Sequence, residues 1–273
     1  MKIAAVQMVS SPDVETNLAA ARALVAQAAE QGAELVVLPE YFCIMGRTDR
    51  DKLGVAEAAG DGPIQRMLAA AAKAHGIWLV GGTLPLKIAG VDDRATNTNL
   101  VFSPAGVQVA RYDKIHLFRY DNGREQYDEG RTLQAGTEPV AFAAGALRVG
   151  LSVCYDLRFP ELYRSLMTPP CDLLCVPSAF TYPTGAAHWE ILLRARAIEN
   201  QCYVIAAAQG GTHENGRRTF GHSLVIDPWG EIVALRSEDG EGVVTADVDR
   251  ERIAAVRLQL PALTHRRAVR GPR

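Results

Sequence analysis

The order of apolar and polar positions predicts alternating strands and helices in the first third of the chain. Residues 2–8 and 34–40 are short apolar runs typical of buried strands. Between them, residues 17–31 carry an apolar stripe at helical spacing, and Gly32 predicts the end of that helix. A strand, a helix and a strand in this order predict a right-handed crossover between two parallel strands.

The rest of the pattern is richer in strands. Residues 114–136 are polar, aromatic and aperiodic, and predict a long loop. With no linker, repeat or low-complexity tract, we expect one domain over residues 1–273, in which helices cover two sheets. Further helices are predicted over residues 63–75, 188–200 and 249–258, and further strands over residues 76–87, 97–104, 107–114, 139–145, 146–153, 172–178, 203–209, 221–228, 230–237 and 242–249.

A cysteine stands between a predicted strand and a predicted helix. Residues 146–153 form an apolar run, residues 159–166 have helical spacing with Pro160 in the first turn, and Cys154 lies between them. A cysteine at such a turn projects from the sheet, and a nearby helix N-terminus favours its thiolate. Cys154 is therefore a candidate nucleophile, although a buried cysteine can also be a small apolar core residue.

Composition and charge exclude several classes of function. The 273 residues are 48% hydrophobic, which is enough for a sizeable core, and the net charge of −2 gives no electrostatic case for binding nucleic acid or a membrane surface. No apolar run approaches the length of a transmembrane helix, and the first residues lack the apolar region of a signal peptide. The basic residues 265–273 are interpreted as a solvated end.

The cysteines and glycines give no indication of a cofactor. Five cysteines in a chain of this length predict reduced thiols in a cytoplasmic setting. Cys171 and Cys175 are four residues apart on a predicted strand, roughly 13 Å from each other, so they do not predict a metal site. The dinucleotide fingerprint and the P-loop are absent. We therefore expect neither a metal nor an organic cofactor.

Three polar residues follow the ends of predicted strands: Glu40, Lys114 and Cys154. In open α/β sheets, ligands bind beyond the carboxyl ends of the strands. At one shared edge, the acid can take the proton of the thiol, and the ammonium can stabilise the thiolate and a later oxyanion. Each residue alone has a simpler explanation, because charged residues commonly mark the place where a strand leaves the core.

The residues around these positions resemble the nitrilase, or carbon–nitrogen hydrolase, superfamily. The matching segments are LPEYF at 38–42, YDKIHLF at 112–118 and SVCYDLRFPELYRSL at 152–166. Residues 128–136, 188–209 and 221–234 match as well, so the resemblance covers essentially the whole chain. It implies a four-layer α-β-β-α sandwich of the α/β class. It also implies pairing into homodimers or larger homo-oligomers through a helix face and the C-terminal tail.

The resemblance also implies the catalytic residues. Glu40, Lys114 and Cys154 match the glutamate, lysine and cysteine of the family, and Glu129 matches a second glutamate, with Glu125 as the alternative. The implied reaction is attack of the thiolate on an amide carbonyl, followed by hydrolysis of a thioester. A Cys–His pair that uses His188 or His222 as the base is a different mechanism for the same nucleophile.

Within the family, residues 154–164 and 261–267 resemble the branch that acts on deaminated glutathione and on omega-amides. We expect hydrolysis of the terminal amide of a small carboxylate or keto-acid to an acid and ammonia, with deaminated glutathione as the favoured substrate. The alternatives are an omega-amidase acting on α-ketoglutaramate or succinamate, an N-carbamoyl amino acid hydrolase, a nitrilase, and a non-catalytic binding protein. Candidate substrate-binding residues are Tyr155, Arg158, Phe180 and Thr181, with Arg119 and Arg124 as further candidates for binding a carboxylate.

Overall fold

Two β-sheets stack face to face and helices cover the outer surface of each, in a computed structural model that describes residues 1–123 and 125–267. The α-helices are α1 (Val14–Glu30), α2 (Asp51–Gly54), α3 (Pro63–His75), α4 (Pro160–Ser165), α5 (Tyr182–Asn200) and α6 (Arg250–Gln259). Two 3₁₀ turns span Glu129–Arg131 and Cys154–Arg158. Within the described ranges, no helix combines the length and the hydropathy needed to cross a membrane.

The strands are numbered along the chain. They are β1 (Lys2–Gln7), β2 (Leu35–Val37), β3 (Trp78–Val80), β4 (Leu84–Ile88), β5 (Val91–Phe102), β6 (Gln108–Asp113), β7 (Arg119–Asp121), β8 (Gln126–Asp128), β9 (Leu133–Gln134), β10 (Ala141–Ala144), β11 (Leu147–Leu151), β12 (Leu173–Cys175), β13 (Tyr203–Ala206), β14 (Gly210–Thr212), β15 (Arg218–Phe220), β16 (Leu224–Ile226), β17 (Ile232–Leu235) and β18 (Gly242–Asp247).

The first sheet has the order β18-β1-β2-β3-β5-β4, and β6 and β9 also pair with β5. Strands β1, β2 and β3 are parallel, as the predicted crossover requires. Successive side chains of a strand point to opposite faces. Accordingly, Ile3 and Ala5 of β1 lie in the core between the sheets, whereas Ala4 and Val6 lie in the core under α1 and α3.

The second sheet has the order β10-β11-β12-β13-β16-β17, with β11, β12 and β13 parallel. Its outer face is covered by α5, whose Trp189 and Leu193 are buried. The layers therefore run helix, sheet, sheet, helix, and the four-layer α-β-β-α sandwich expected from the resemblance is confirmed. In each sheet, three parallel strands have their carboxyl ends at the same edge. Glu40 follows one of these strands in the first sheet, and Cys154 follows one in the second.

Several predicted boundaries are wrong. The strand predicted over residues 76–87 is two strands, because the chain turns at Gly81 and Gly82. Helix α5 begins at Tyr182 rather than at His188, since Pro183 fits the first turn of the helix and Gly185 packs against Phe220. The predicted loop over residues 114–136 contains the β7–β8 hairpin, a 3₁₀ turn and β9.

Gly82 holds the first sheet close to the segment that carries Glu40. Its φ is +58°, and a Cβ atom at this position would lie 2.1 Å from the carbonyl oxygen of Pro39. Gly90 also has a positive φ, of +74°, but a Cβ atom there would meet nothing within 4 Å. These two glycines separate the cost of the backbone conformation from the cost of a steric clash.

We predict that Gly90→Ala lowers the free energy of unfolding by about 1 kcal/mol, the usual cost of a left-handed residue with a side chain. Gly82→Ala should lower it by roughly 2 kcal/mol more, because the added methyl group meets backbone that cannot move freely. Urea denaturation of both variants measures the difference. Equal losses in the two variants would contradict the close approach of Gly82 to Pro39.

Candidate active site

Strand ends bring Glu40, Lys114 and Cys154 into one buried cluster. Glu40 lies three residues beyond β2, Lys114 directly follows β6, and Cys154 lies three residues beyond β11. The Nζ atom of Lys114 is 2.8 Å from Oε1 of Glu40, and both side chains are almost completely buried. Glu40 and Cys154 line the same narrow pocket. Glu40 and Lys114 from the first sheet and Cys154 from the second thus lie close together, as their predicted positions at strand ends suggested.

The position of Glu40 is fixed from several sides. Its Oε1 accepts a hydrogen bond of 2.9 Å from Nδ2 of Asn97, and its backbone carbonyl accepts one of 3.1 Å from Nε2 of Gln209. The next residue, Tyr41, adopts a left-handed φ of +56°, which is uncommon for a bulky residue. This arrangement leaves the carboxylate little freedom to rotate away from Lys114.

Glu129 is the second carboxylate on Lys114. Its two oxygens lie 3.0 and 2.8 Å from Nζ of Lys114, and they also accept hydrogen bonds from the hydroxyl of Tyr41 and the backbone N–H of Phe118. Burial by itself raises the pKa of Glu129, but Lys114 outweighs it and the pKa is lowered. Glu125, the alternative second glutamate, lines only a wider outer chamber and not the narrow pocket over Cys154, whereas Glu129 lines both.

Lys114 is a buried ammonium between two carboxylates. Burial opposes its charge, but Glu129 and Glu40 together hold the pKa of Lys114 above its ordinary value. The ammonium form is therefore stable at neutral pH. A fixed positive charge inside the protein can bind an oxygen atom that becomes negative during a reaction.

Cys154 lies in a strained turn. Its φ is +49°, its backbone N–H donates to the carbonyl of Pro177, and it begins a 3₁₀ turn rather than an α-helix. The buried carboxylate of Asp156 accepts hydrogen bonds from the backbone N–H of Val153 and the hydroxyl of Tyr112, at 2.8 and 2.6 Å. These bonds connect the turn to β6 and so hold Cys154 near Lys114.

The thiol of Cys154 is a weaker acid than expected. Burial raises its pKa well above the ordinary value, and Glu40 raises it further; Lys114 and a backbone hydrogen bond from Ala179 lower it, but not enough to compensate. The expectation of a thiolate stabilised by a helix N-terminus is therefore wrong, since helix α4 begins only at Pro160. At neutral pH the resting group is a neutral thiol beside a carboxylate.

The narrow pocket over Cys154 contains all four candidate substrate-binding residues, namely Tyr155, Arg158, Phe180 and Thr181. The guanidinium of Arg158 lies over the rings of Tyr155 and Phe180, at 5.8 and 5.4 Å from their centroids. Arg119 is exposed and close to Asp128, outside the lining of this pocket. Arg124 lies outside the described residues.

A larger chamber of about 510 Å³ adjoins the narrow pocket. Phe118, Glu129 and Arg217 line both spaces, so the two are continuous along these side chains. The outer chamber is also lined by charged residues from the segment after Glu40, including Arg47 and Lys52. The site is thus a buried reactive cluster at the base of a wider polar opening.

A model of one protein family, described as carbon-nitrogen hydrolase, matches residues 2–258. The chain belongs to the carbon–nitrogen hydrolase family. The membership expected from the flanking residues of Glu40, Lys114 and Cys154 is therefore confirmed, and with it hydrolysis of carbon–nitrogen bonds of the amidase type.

Individual members of the carbon–nitrogen hydrolase family agree with this assignment. The chain is 43% identical over 266 residues to a deaminated glutathione amidase of Synechocystis, covering 96% of this chain and 97% of that protein. It is 37% identical over 267 residues to the omega-amidase NIT2 of Xenopus tropicalis, covering 97% and 95%. The crystal structure of the Caenorhabditis elegans NitFhit protein superposes with a TM-score of 0.89 at 41% identity, covering 97% of this chain and 65% of that one.

The histidines considered for a Cys–His pair contact other residues of this carbon–nitrogen hydrolase. His188 lies within α5 and its Nδ1 is 3.3 Å from a guanidinium nitrogen of Arg158. His222 stacks on Phe220 beside a different surface groove. Neither lines the pocket over Cys154, whereas Glu40 does. Over residues 1–123 and 125–267, no group of three or more His, Cys, Asp or Glu side chains could hold a metal ion.

The sequence did not reveal several residues that support the cluster, including Asn97, Tyr41 and Asp156. One signal for Asn97 was present, because residues 96–99 (TNTN) are polar within an apolar strand pattern, and all four are buried. Buried polar side chains require hydrogen-bond partners, so such a run indicates a functional or structural network. Tyr41 and Asp156 carried no comparable signal apart from their closeness to Glu40 and Cys154 along the chain.

We predict that the thiol of Cys154 titrates above the range of a free cysteine, whose pKa is about 8.5. Glu40→Gln should lower the midpoint, because it removes the negative charge that disfavours the thiolate. Lys114→Met should raise the midpoint, because it removes the compensating positive charge. Ultraviolet absorbance of the thiolate against pH measures both shifts, with Cys154→Ala as the blank for the remaining cysteines. A higher midpoint in Glu40→Gln would contradict the charge arrangement.

Proposed function

We propose that this carbon–nitrogen hydrolase cleaves the amide of a small substrate bearing a carboxylate or keto-acid group, with deaminated glutathione as the preferred substrate. The observation that carries the proposal is the buried Glu40–Lys114–Glu129 cluster beside the thiol of Cys154. The similarity to a protein named deaminated glutathione amidase supports the choice of substrate. The catalytic residues in this proposal are Glu40, Lys114, Cys154 and Glu129.

In the first step, Glu40 takes the proton of the Cys154 thiol as the sulfur attacks the amide carbonyl. Because the resting thiol is neutral, the proton transfer accompanies the attack rather than preceding it. The developing oxyanion is stabilised by the ammonium of Lys114 and by the backbone N–H of Tyr155, which lies in the first turn after the cysteine. Glu129 holds Lys114 in place through both of its oxygens.

In the second step, the protonated Glu40 donates its proton to the amide nitrogen as the carbon–nitrogen bond breaks. The amine leaves and the acyl group remains on Cys154 as a thioester. Glu40, again a carboxylate, then takes a proton from a water molecule that attacks the thioester. Glu40 then returns this proton to the sulfur as the carbon–sulfur bond breaks. The products are the free acid and the regenerated thiol, so a single carboxylate serves as base, acid, base and acid in turn.

The leaving group depends on the substrate. An unsubstituted amide such as α-ketoglutaramate releases ammonia, whereas the corresponding amide of deaminated glutathione releases cysteinylglycine. The ammonia expected from the sequence therefore applies only to unsubstituted amides. Omega-amidase activity is the second candidate function, because the chain is also similar to a protein named omega-amidase NIT2.

The proposal extends to the assembly and setting of the protein. We propose that residues 1–273 act as one domain and that the enzyme works in the cytoplasm. We also propose that it forms a homodimer or larger homo-oligomer through the α5 face and the C-terminal tail, of which residues 268–273 lie outside the described residues. Ile191 and Ile198 on α5 are 70% and 48% exposed, and Trp229 nearby along the second sheet is 43% exposed. Exposed apolar side chains of this size support a protein–protein contact.

We predict that purified enzyme hydrolyses deaminated glutathione with a higher kcat/KM than α-ketoglutaramate, succinamate, N-carbamoyl amino acids or simple nitriles. Release of cysteinylglycine and of ammonia is measured separately. A preference for α-ketoglutaramate would favour the omega-amidase, and the absence of turnover on the whole panel would contradict the proposed function.

The same assay tests the catalytic residues. Cys154→Ala should reduce kcat by on the order of a thousandfold or more, as for loss of a nucleophile. Lys114→Met should reduce it by about a hundredfold, as for loss of one oxyanion donor. Cys175→Ala and Lys73→Met are the matched controls, because one is a thiol in the neighbouring strand β12 and the other is an exposed lysine on α3. Full activity in Cys154→Ala would exclude this mechanism.

A further inference from the structure

Arg217 occupies the boundary between the reactive cluster and the outer chamber. It directly precedes β15 and lines both the narrow pocket with Cys154 and the chamber of about 510 Å³. Of the described arginines that the sequence suggested for a substrate carboxylate, Arg158 lines only the narrow pocket and Arg119 lines neither space. A side chain at such a junction can contact a substrate whose amide has reached the sulfur.

The guanidinium of Arg217 has few partners of its own. One terminal nitrogen donates to the carbonyl of Ala179 at 2.9 Å, the other lies 3.8 Å from the sulfur of Met45, and the group stacks on the ring of Tyr127. Among the residues that the structure describes, its Nε has no hydrogen-bond acceptor and no carboxylate lies within salt-bridge distance. Since partly buried cations normally have a counter-ion, this one favours an anion supplied by the substrate.

Lys52 is a second cation in the same chamber. Its ammonium lies 5.2 Å from the centroid of the Tyr41 ring, and within the described part of the chain it forms no salt bridge. Burial lowers the pKa of Lys52, and Glu129 opposes that change. The two charges therefore lie on the wall from which a substrate would approach Cys154.

Among the residues that the structure describes, no acidic residue of the chamber forms a salt bridge with either cation. Glu129 is bound to Lys114, and Asp128 lies 3.7 Å from Arg131. Glu125 is hydrogen bonded to Tyr127 and its Oε2 is buried without a hydrogen-bond partner, but it lies beyond salt-bridge distance of both cations; Asp49 is exposed. The remaining cation of the lining, Arg47, is paired with Glu214. Arg217 and Lys52 are thus the cations of this lining that lack a bound carboxylate in the described residues.

We propose that Arg217, assisted by Lys52, determines specificity by binding a free carboxylate of the substrate in the outer chamber while the amide lies against Cys154. The planar guanidinium presents paired N–H groups that match the two oxygens of a carboxylate. The proposal rests on the proposed amidase function and adds the residue that recognises the acid. The carboxylate can belong to the acyl part or to the amine part of the amide.

Arg217 also has a structural alternative. It holds the carbonyl of Ala179, whose backbone also hydrogen bonds to the Cys154 sulfur, and Phe180 follows in the pocket wall. If that were its whole role, loss of Arg217 would slow the hydrolysis of every amide to the same degree. A carboxylate-binding role instead predicts a loss confined to acidic substrates, so paired substrates distinguish the two roles.

The experiment compares Arg217→Met and Arg217→Lys with Arg218→Gln. Arg218 is the matched control, because it is the next residue but stacks on Tyr182 and reaches toward Asp239. One substrate pair is glutaramate and its methyl ester, which differ in the carboxylate of the acyl part. The other pair is deaminated glutathione and its glycinamide form, which differ in the carboxylate of the amine part.

We expect the wild-type enzyme to prefer the acid in at least one pair. Arg217→Met should lower kcat/KM for that acid by about 10- to 100-fold, as expected for a lost charged hydrogen bond. Most of this loss should come from a higher KM for the acid, and kcat/KM for the neutral compound of the pair should change little. Arg217→Lys should recover part of the preference, and Arg218→Gln should leave both pairs unchanged. The pair that loses its preference identifies which carboxylate is bound.

An equal loss for acid and neutral partner in Arg217→Met, or no preference in the wild type, overturns the proposal while leaving the amidase function intact. Failure of the wild type to hydrolyse any of the four compounds instead overturns the proposed function. Calorimetry then measures how the acid of the pair that showed the preference, glutaramate or deaminated glutathione, binds to Cys154→Ala with and without Arg217→Met, which tests the carboxylate contact independently of turnover. Equal binding by the two proteins overturns the inference.

Discussion

The ammonium of Lys114, enclosed by Glu40 and Glu129, is the interaction on which the site depends. A charge buried in this way is tolerated only when opposite charges and hydrogen bonds surround it, because the interior does not solvate ions. Its two carboxylate partners follow β2 and β8, and Lys114 itself follows β6, so the cluster forms only when the first sheet and the β7–β8 hairpin are both in place. Removing Lys114 leaves two buried carboxylates without a compensating charge, whereas removing either carboxylate leaves one ion pair.

The second sheet contributes the sulfur to this charged cluster. β11 carries Cys154 toward the residues that the first sheet provides, and the carboxylate of Asp156 ties the turn back to Tyr112 at the end of β6. The two sheets therefore depend on each other at the site, as they do in the apolar core between them. Because Glu40 and Lys114 belong to the first sheet and Cys154 to the second, the base, the cation and the nucleophile of the proposed mechanism meet only when the domain has folded.

Much of the fold was predictable from the sequence, because the strands are apolar and the helices α1 and α3 have clear apolar faces. The meeting of Glu40, Lys114 and Cys154 was predictable for the same reason, since each follows a strand. The start of α5 was not predictable, because Pro183 is equally compatible with a loop and with the first turn of a helix. Asn97 and Arg217 contact the site through side chains from distant segments, and local pattern does not encode such contacts.

The neutral state of the Cys154 thiol has a consequence for the durability of the enzyme. Peroxides, disulfides and electrophiles react with thiolates far faster than with thiols. A cysteine that is buried, protonated and faced by a carboxylate is therefore expected to react slowly with oxidants while the pocket is empty of substrate. In the proposed mechanism, the sulfur becomes nucleophilic when a substrate carbonyl lies against it and Glu40 accepts its proton. The burial that keeps the thiol neutral would thus both restrict its reactions to bound substrate and slow its oxidation.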